Sequence, residues 1–134
     1  MSFIWKSRIR FGDTDASGRI YYASLFRHFE AAEAEFLRFL GQPYTDLESR
    51  EVSFPRVHVE ADYRGALLYD DEVEIEVAPE RVGGGSFTIG FVVRKNGDEA
   101  ASGRYVIASM DRRTQRACPL PAPLAGALRE HLKQ

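Results

Sequence analysis

Only one long stretch of this chain has helical periodicity. Between Leu25 and Leu40 the apolar residues recur as Leu25, Phe29, Ala32, Phe36 and Phe39 or Leu40, with Arg27, Glu33, Glu35 and Arg38 opposite them, the spacing of an amphipathic helix. Ser24 stands where an N-cap belongs, and Gly41 followed by Pro43 supplies a stop, so the spacing predicts one helix of about four turns. Most of the remaining chain alternates with a period of two. A long helix and a sheet each carry an apolar face, and a sheet that wraps the helix covers both.

The strands are legible in turn. "SFIWKSRIRF" places Phe3, Trp5, Ser7, Ile9 and Phe11 on one face and is expected to run to Asp13. From Phe54 the alternation returns through Val57, Val59, Ala61 and Tyr63, with Pro55 marking an edge start. "EVEIEV" sends Val73, Ile75 and Val77 inward and three glutamates outward. The run Gly83, Gly84, Gly85 makes a turn into "SFTIGFVVRK", and Asn96-Gly97 is a hairpin signal returning the chain as "ASGRYVIASM". The tail from Leu120 is Pro-rich and then weakly helical. With no repeat, linker or charge block, an α+β single domain over residues 1–134 is expected.

Composition narrows the function. A formal net charge of -2 argues against nucleic acid as the partner, which wants a strongly basic face. The lone Cys118 cannot form an internal disulfide, and no Cys or His spacing suggests a metal. "MSFIWKSRIR" lacks the apolar core of a signal peptide and no apolar run is long enough to span a bilayer, so a cytoplasmic protein without membrane attachment is expected.

Chemistry concentrates in "FGDTDASGRIYY". Asp13 and Asp15 sit where a strand gives way to a loop before the helix, and both could be turn and capping residues. Alternatively, Gly18 frees the backbone and the following segment delivers N–H groups at a helix N-terminus, which would set a carboxylate beside an oxyanion site. Glu30, next to Phe29, could reach solvent, pair with an arginine, or face a ligand. His58, between Val57 and Val59, could pack or act on substrate. The triple glycine lacks the lysine of a phosphate-binding loop and fits a hairpin turn. Cys118 has no nearby histidine, and Ser17 and Ser24 lack a nucleophile-elbow context.

The segment "RIRFGDTDASGRIYYASLFRHFEAAEAEFLRFLG" resembles the opening of hotdog-fold acyl-CoA thioesterases of the 4-hydroxybenzoyl-CoA thioesterase type, and "FPRVHVEADY" and "LLYDDEVEIEV" resemble their next two strands. The resemblance implies a hotdog fold, an antiparallel sheet wrapped around one long central helix. It implies that Asp15 is the catalytic carboxylate, nucleophile or general base, that Asp13 holds the loop, and that the backbone N–H of Tyr22 polarises the thioester carbonyl. Glu30 matches an acidic helix position that meets the hydroxyl of an aromatic acyl group, and His58 is the second expected substrate-binding residue. Phe11 and Tyr22 match the aroyl-CoA branch rather than the Tol-Pal-associated one, and "FPRVH" also resembles the dihydroxynaphthoyl-CoA thioesterases.

Where the family places basic residues for the CoA phosphates, this chain has Gly83, Gly84 and Gly85. Either backbone groups at Gly84, Gly85 and Ser86 take over with Arg81, or the nucleotide contacts lie elsewhere. No cofactor is expected, CoA being part of the substrate. Subunits of this family pair their sheets, which implies a homodimer or a homotetramer built as a dimer of dimers, with the active site between chains. The expected activity is hydrolysis of an aromatic or medium-chain acyl-CoA. The rivals are a hotdog hydratase or dehydratase, for which His58 is the only strand histidine, and a non-catalytic acyl-CoA-binding module.

Overall fold

Alternating apolar residues build the sheet of this protein, whose computed structural model describes residues 2–48 and 51–132. In chain order the elements are strand β1 (Phe3–Arg8), helix α1 (Leu25–Phe39), a short helix α2 (Tyr44–Glu48), and strands β2 (Val52–Ser53), β3 (Arg56–Tyr63) and β4 (Glu72–Val82). Strands β5 (Ser86–Lys95), β6 (Asp98–Ala108) and β7 (Met110–Asp111) and helix α3 (Ala122–Glu130) follow. Five strands form one antiparallel sheet in the order β1-β4-β5-β6-β3, and β2 pairs with β7 beside it. The Gly83 N–H closes the β4–β5 hairpin on the Ser86 carbonyl at 2.8 Å. Asn96 and Gly97, at φ 53 and 85, make the β5–β6 turn in the left-handed region that two-residue hairpins favour.

Helix α1 lies across the inner face. Phe29 stacks on Phe91 with ring centroids 4.5 Å apart, and Phe36 meets Phe3 at 5.5 Å. Gly103 makes the close seating possible: a Cβ there would stand 2.6 Å from the Phe29 ring and 2.5 Å from the Glu60 carbonyl oxygen. Val73, Ile75 and Val77 complete the core beneath, and α3 buries Leu124, Ala125 and Leu128 against it. This is the hotdog arrangement, one long helix packed on an antiparallel sheet.

Four expectations change. The first strand stops at Arg8, because the Asp13 carboxylate accepts the Arg10 N–H at 2.8 Å and turns the chain, throwing Phe11 out to 75% exposure, edge-on to Tyr69. Ser24 takes the N-cap position of α1 but its side chain caps nothing: a 3-10 turn, Tyr22–Ser24, leads into the helix, so Ser24 already has helical dihedrals. The strand expected from Phe54 begins at Arg56, with Phe54 buried just before it. Glu33, expected on the polar face, is wholly buried, because α2 and the start of β3 bring it Tyr44 and Arg56.

Candidate active site

Residues 10–21 form a narrow loop pinned at several points. Thr14 bridges Ile20, the Asp15 N–H reaches the Arg19 carbonyl at 3.0 Å, and the Gly18 N–H reaches the Asp15 carbonyl at 2.9 Å. Gly18 adopts φ +82, which a side chain would resist. The Ile20 N–H bonds the Leu67 carbonyl and the Tyr21 N–H bonds the Asp13 carbonyl, both at 2.8 Å.

The two carboxylates divide at once. Asp15 is exposed at the tip; its Oδ1 accepts from the Ser17 Oγ at 2.6 Å and the Ser17 N–H at 2.8 Å. Those bonds hold its carboxyl below the ordinary carboxylate value. Its Oδ2 has no donor among the described residues and is open to a substrate or water. Asp13 is buried and accepts from the Arg10 N–H and from His28 Nε2, each at 2.8 Å. Burial pushes its pKa up, but the Arg10 N–H and His28 outweigh it and the net shift is downward.

Tyr22 opens the 3-10 turn leading into α1, at 64% exposure, with its carbonyl held by the Tyr63 hydroxyl. The first N–H groups of a helix have no preceding carbonyl in the helix and carry its positive end. Asp15 lies in the loop and Tyr22 follows directly on the loop's last residue, seven residues further along the sequence.

A groove of about 620 Å³ runs between α1 and β3 and is lined by Phe26, Glu30, Tyr44, Arg56, Val59 and Tyr105 among others. This size suits a small organic ligand. At its floor Arg56 Nη2 contacts Glu33 Oε2 at 2.6 Å and Oε1 at 2.7 Å, and the Tyr44 hydroxyl donates to the same carboxylate. The guanidinium lies over the Tyr44 ring at 5.2 Å and the Tyr105 ring at 5.9 Å. Burial pushes Glu33 up, with Arg56 and Tyr44 pulling against it. Burial pulls Arg56 down, but the Glu33 charge outweighs it and keeps the guanidinium protonated. Burial likewise raises the Tyr44 and Tyr105 hydroxyls, which stay neutral donors.

The other expected residues lie apart. Glu30 lines the groove, eight residues along from Tyr22, or about 12 Å of helix. His58 is on the opposite sheet face from Val59 and Tyr105, bonded to Glu60 Oε1 at 2.9 Å. Arg81, Gly84, Gly85 and Ser86 form the β4–β5 hairpin, whose Gly84 and Gly85 carbonyls hold the Leu120 and Ser109 N–H groups. Within one chain this hairpin stands at the far end of β4 from Asp15, because Glu72 pairs with Arg8 at the near end.

Sequence reasoning did not single out His28 or Glu33. His28 carried a signal: at three residues from Leu25 and four from Ala32 it lies on the apolar stripe, where a polar side chain needs a partner. Among the described residues no group of three or more His, Cys, Asp or Glu could hold a metal, and no helix is long and apolar enough to cross a membrane.

Fold and loop define a hotdog protein with an exposed carboxylate in the loop that leads into its long helix, and the sequence agrees: residues 9–128 match the thioesterase-like superfamily, to which this chain belongs. By that membership it is a thioester hydrolase. It is 30% identical over 123 residues to a 1,4-dihydroxy-2-naphthoyl-CoA hydrolase of Prochlorococcus marinus (strain NATL2A), covering 86% of this chain and 79% of that one. The structure of a gentisyl-coenzyme A thioesterase superposes with a TM-score of 0.86 at 28% identity, covering 94% of this chain and 99% of the other. A protein of Aquifex aeolicus superposes with a TM-score of 0.89 at 27% identity, covering 94% and 98%.

Proposed function

We propose that this chain hydrolyses an aromatic acyl-CoA, one whose ring carries hydroxyl groups, to the free acid and CoA. The observation that carries the reading is the likeness to the dihydroxynaphthoyl-CoA and gentisyl-CoA enzymes, over most of both chains. It favours those acyl groups over 4-hydroxybenzoyl. The thioester carbonyl oxygen lies at the Tyr22 N–H, where developing negative charge meets the positive end of the helix. Asp15, ionised at neutral pH, either attacks the carbonyl carbon to give an acyl-aspartyl anhydride or takes a proton from the attacking water. In both routes the C–S bond breaks, CoA leaves as thiolate, and one water is consumed. No cofactor beyond the CoA of the substrate enters, and the reaction is placed in the cytoplasm.

A second copy completes the site in this reading. Even a fused pair of aromatic rings is shorter than the helix between Tyr22 and Glu30, so the reading assigns these two residues of one chain to two different sites. Antiparallel pairing of two β3 edges would bring the Arg56 end of one chain, with Glu30 nearby, to the partner's Tyr63 and Tyr22. Support comes from β3 being an edge strand with Val57 and Val59 exposed.

The test is CoA release by wild type and Asp15→Asn on dihydroxynaphthoyl-CoA, gentisyl-CoA, 4-hydroxybenzoyl-CoA and aliphatic acyl-CoAs. The hydroxylated aromatic thioesters should turn over best, and Asp15→Asn should lose about 100- to 10,000-fold while remaining folded. Turnover unchanged by the substitution would overturn the role of Asp15. Binding without release would make the chain a sensor.

A further inference from the structure

Two hydrogen bonds join Asp13, His28 and Ser7 into a chain whose length no catalytic step requires. His28 rises from the first full turn of α1, is only 7% exposed, and touches two other elements. Its Nε2 meets Asp13 Oδ2 at 2.8 Å and its Nδ1 meets Ser7 Oγ on β1 at 2.8 Å. An ionised carboxylate only accepts, so Nε2 carries a hydrogen, while Nδ1 and the Ser7 hydroxyl pair in either direction, the hydroxyl donating to a neutral ring or accepting from a charged one. A neutral imidazole is satisfied at both nitrogens. The order is also the reverse of a nucleophilic triad, in which the carboxylate holds Nδ1 and the serine faces Nε2.

The position of Asp13 gives the chain its meaning. Its carboxylate takes the Arg10 N–H at the start of the loop, and its carbonyl takes the Tyr21 N–H at the end. Asp15 is two residues beyond Asp13, and the Tyr22 N–H is the next one after Tyr21. The bonds to Arg10 and Tyr21 fix the loop to itself. The bond to His28 fixes it to α1, and Ser7 fixes the ring against β1.

Resting on the reading of Asp15 and Tyr22 above, we propose that His28, acting through Asp13, is a positioning residue that sets the Asp15 carboxylate against the helix entrance where the thioester carbonyl is polarised. An apolar residue of similar bulk would fill the space without specifying the register. A misplacement of about 1 Å between reacting groups can cost about 100-fold in rate.

The test compares His28→Leu, His28→Gln and Asp15→Asn with wild type on dihydroxynaphthoyl-CoA and gentisyl-CoA, alongside amide hydrogen exchange. His28→Leu should lower kcat by about 10- to 100-fold with KM little changed and the folded fraction intact. The Asp15, Ile20 and Tyr21 amides should exchange faster while those of β4 and β5 do not. His28→Gln, which keeps a donor for Asp13, should recover most of both. The proposal is overturned if His28→Leu leaves kcat and those amides unchanged, if the rate loss merely follows the unfolded fraction, or if glutamine does no better than leucine. An inactive Asp15→Asn with a fully active His28→Leu sinks the positioning role alone; a fully active Asp15→Asn sinks the reading of the site and this proposal with it. With no turnover on any substrate the amides decide: equal exchange in wild type and His28→Leu overturns it.

Discussion

Asp13 and Asp15 differ by two positions and by everything around them. A buried carboxylate must find donors, and Asp13 takes them from Arg10 and His28, which commits it to structure. Asp15 keeps one oxygen free because Ser17 satisfies only the other. That contact also tunes it: removing the Ser17 hydroxyl from Oδ1 lets the pKa of Asp15 rise back toward its ordinary 3.8. If the carboxylate form is the active one, activity falls as pH drops through that pKa, so Ser17→Ala should move the acid limb of kcat/KM to higher pH. The plateau near neutrality should hold. A pH–rate profile of the two proteins checks it, and an unmoved limb would mean that another group sets it. At this scale the sequence exposed the acidic pair and Gly18 by local turn chemistry. It hid His28 and Glu33, whose partners are distant: Ser7 is 21 residues from His28, and Arg56 is 23 from Glu33.

At the scale of elements, α1 and the alternating strands were legible because each follows from periodicity within a few residues. The second half of the polar face of α1 was not, since a glutamate reads as solvent-facing until another element arrives to bury it. Glu33 ties α1 to the start of β3 through Arg56 and to α2 through Tyr44. Breaking a buried pair by removing one partner leaves a charge that cannot be hydrated. Arg56→Met should therefore cost about 3–5 kcal/mol at neutral pH. The sign of its pH dependence follows from Glu33, whose folded pKa burial already raises above 4.5 and which the variant deprives of its cation. A raised carboxyl stabilises the fold below the unfolded value and loses that contribution as pH rises through the folded one. The gap between variant and wild type should then be widest at neutral pH and narrow toward about pH 4.5. Urea unfolding across that range measures it, and a gap constant with pH would show that Arg56 acts by packing alone.

At the scale of the whole molecule the sheet has two edges, and they are not alike. β1, six residues long, shows Ile4, Lys6 and Arg8 outward, two of the three being charges that discourage strand addition. β3 is eight residues long with Val57 at 62% and Val59 at 47% exposure, and it borders the apolar groove along α1. An edge of that length and character is normally covered. Nothing in one sequence gives the register of such a pairing, because the alternation of β3 is satisfied within its own sheet, while the edge groups belong to the backbone. A second copy added antiparallel would join two five-stranded sheets and close the groove of each chain with the helix of the other. Sedimentation should accordingly give about twice 15.1 kDa for the wild type, or four times if two such dimers pair. Val59→Lys, which puts a charge on the edge and into the groove, should shift the protein toward the monomer and lower thioesterase activity with Asp15 and its loop intact. The loss should be relieved as protein concentration rises, since mass action restores the pair. A monomeric variant with full activity would mean that one chain carries the whole site, and that Glu30 and Arg56 serve something other than the partner's acyl group.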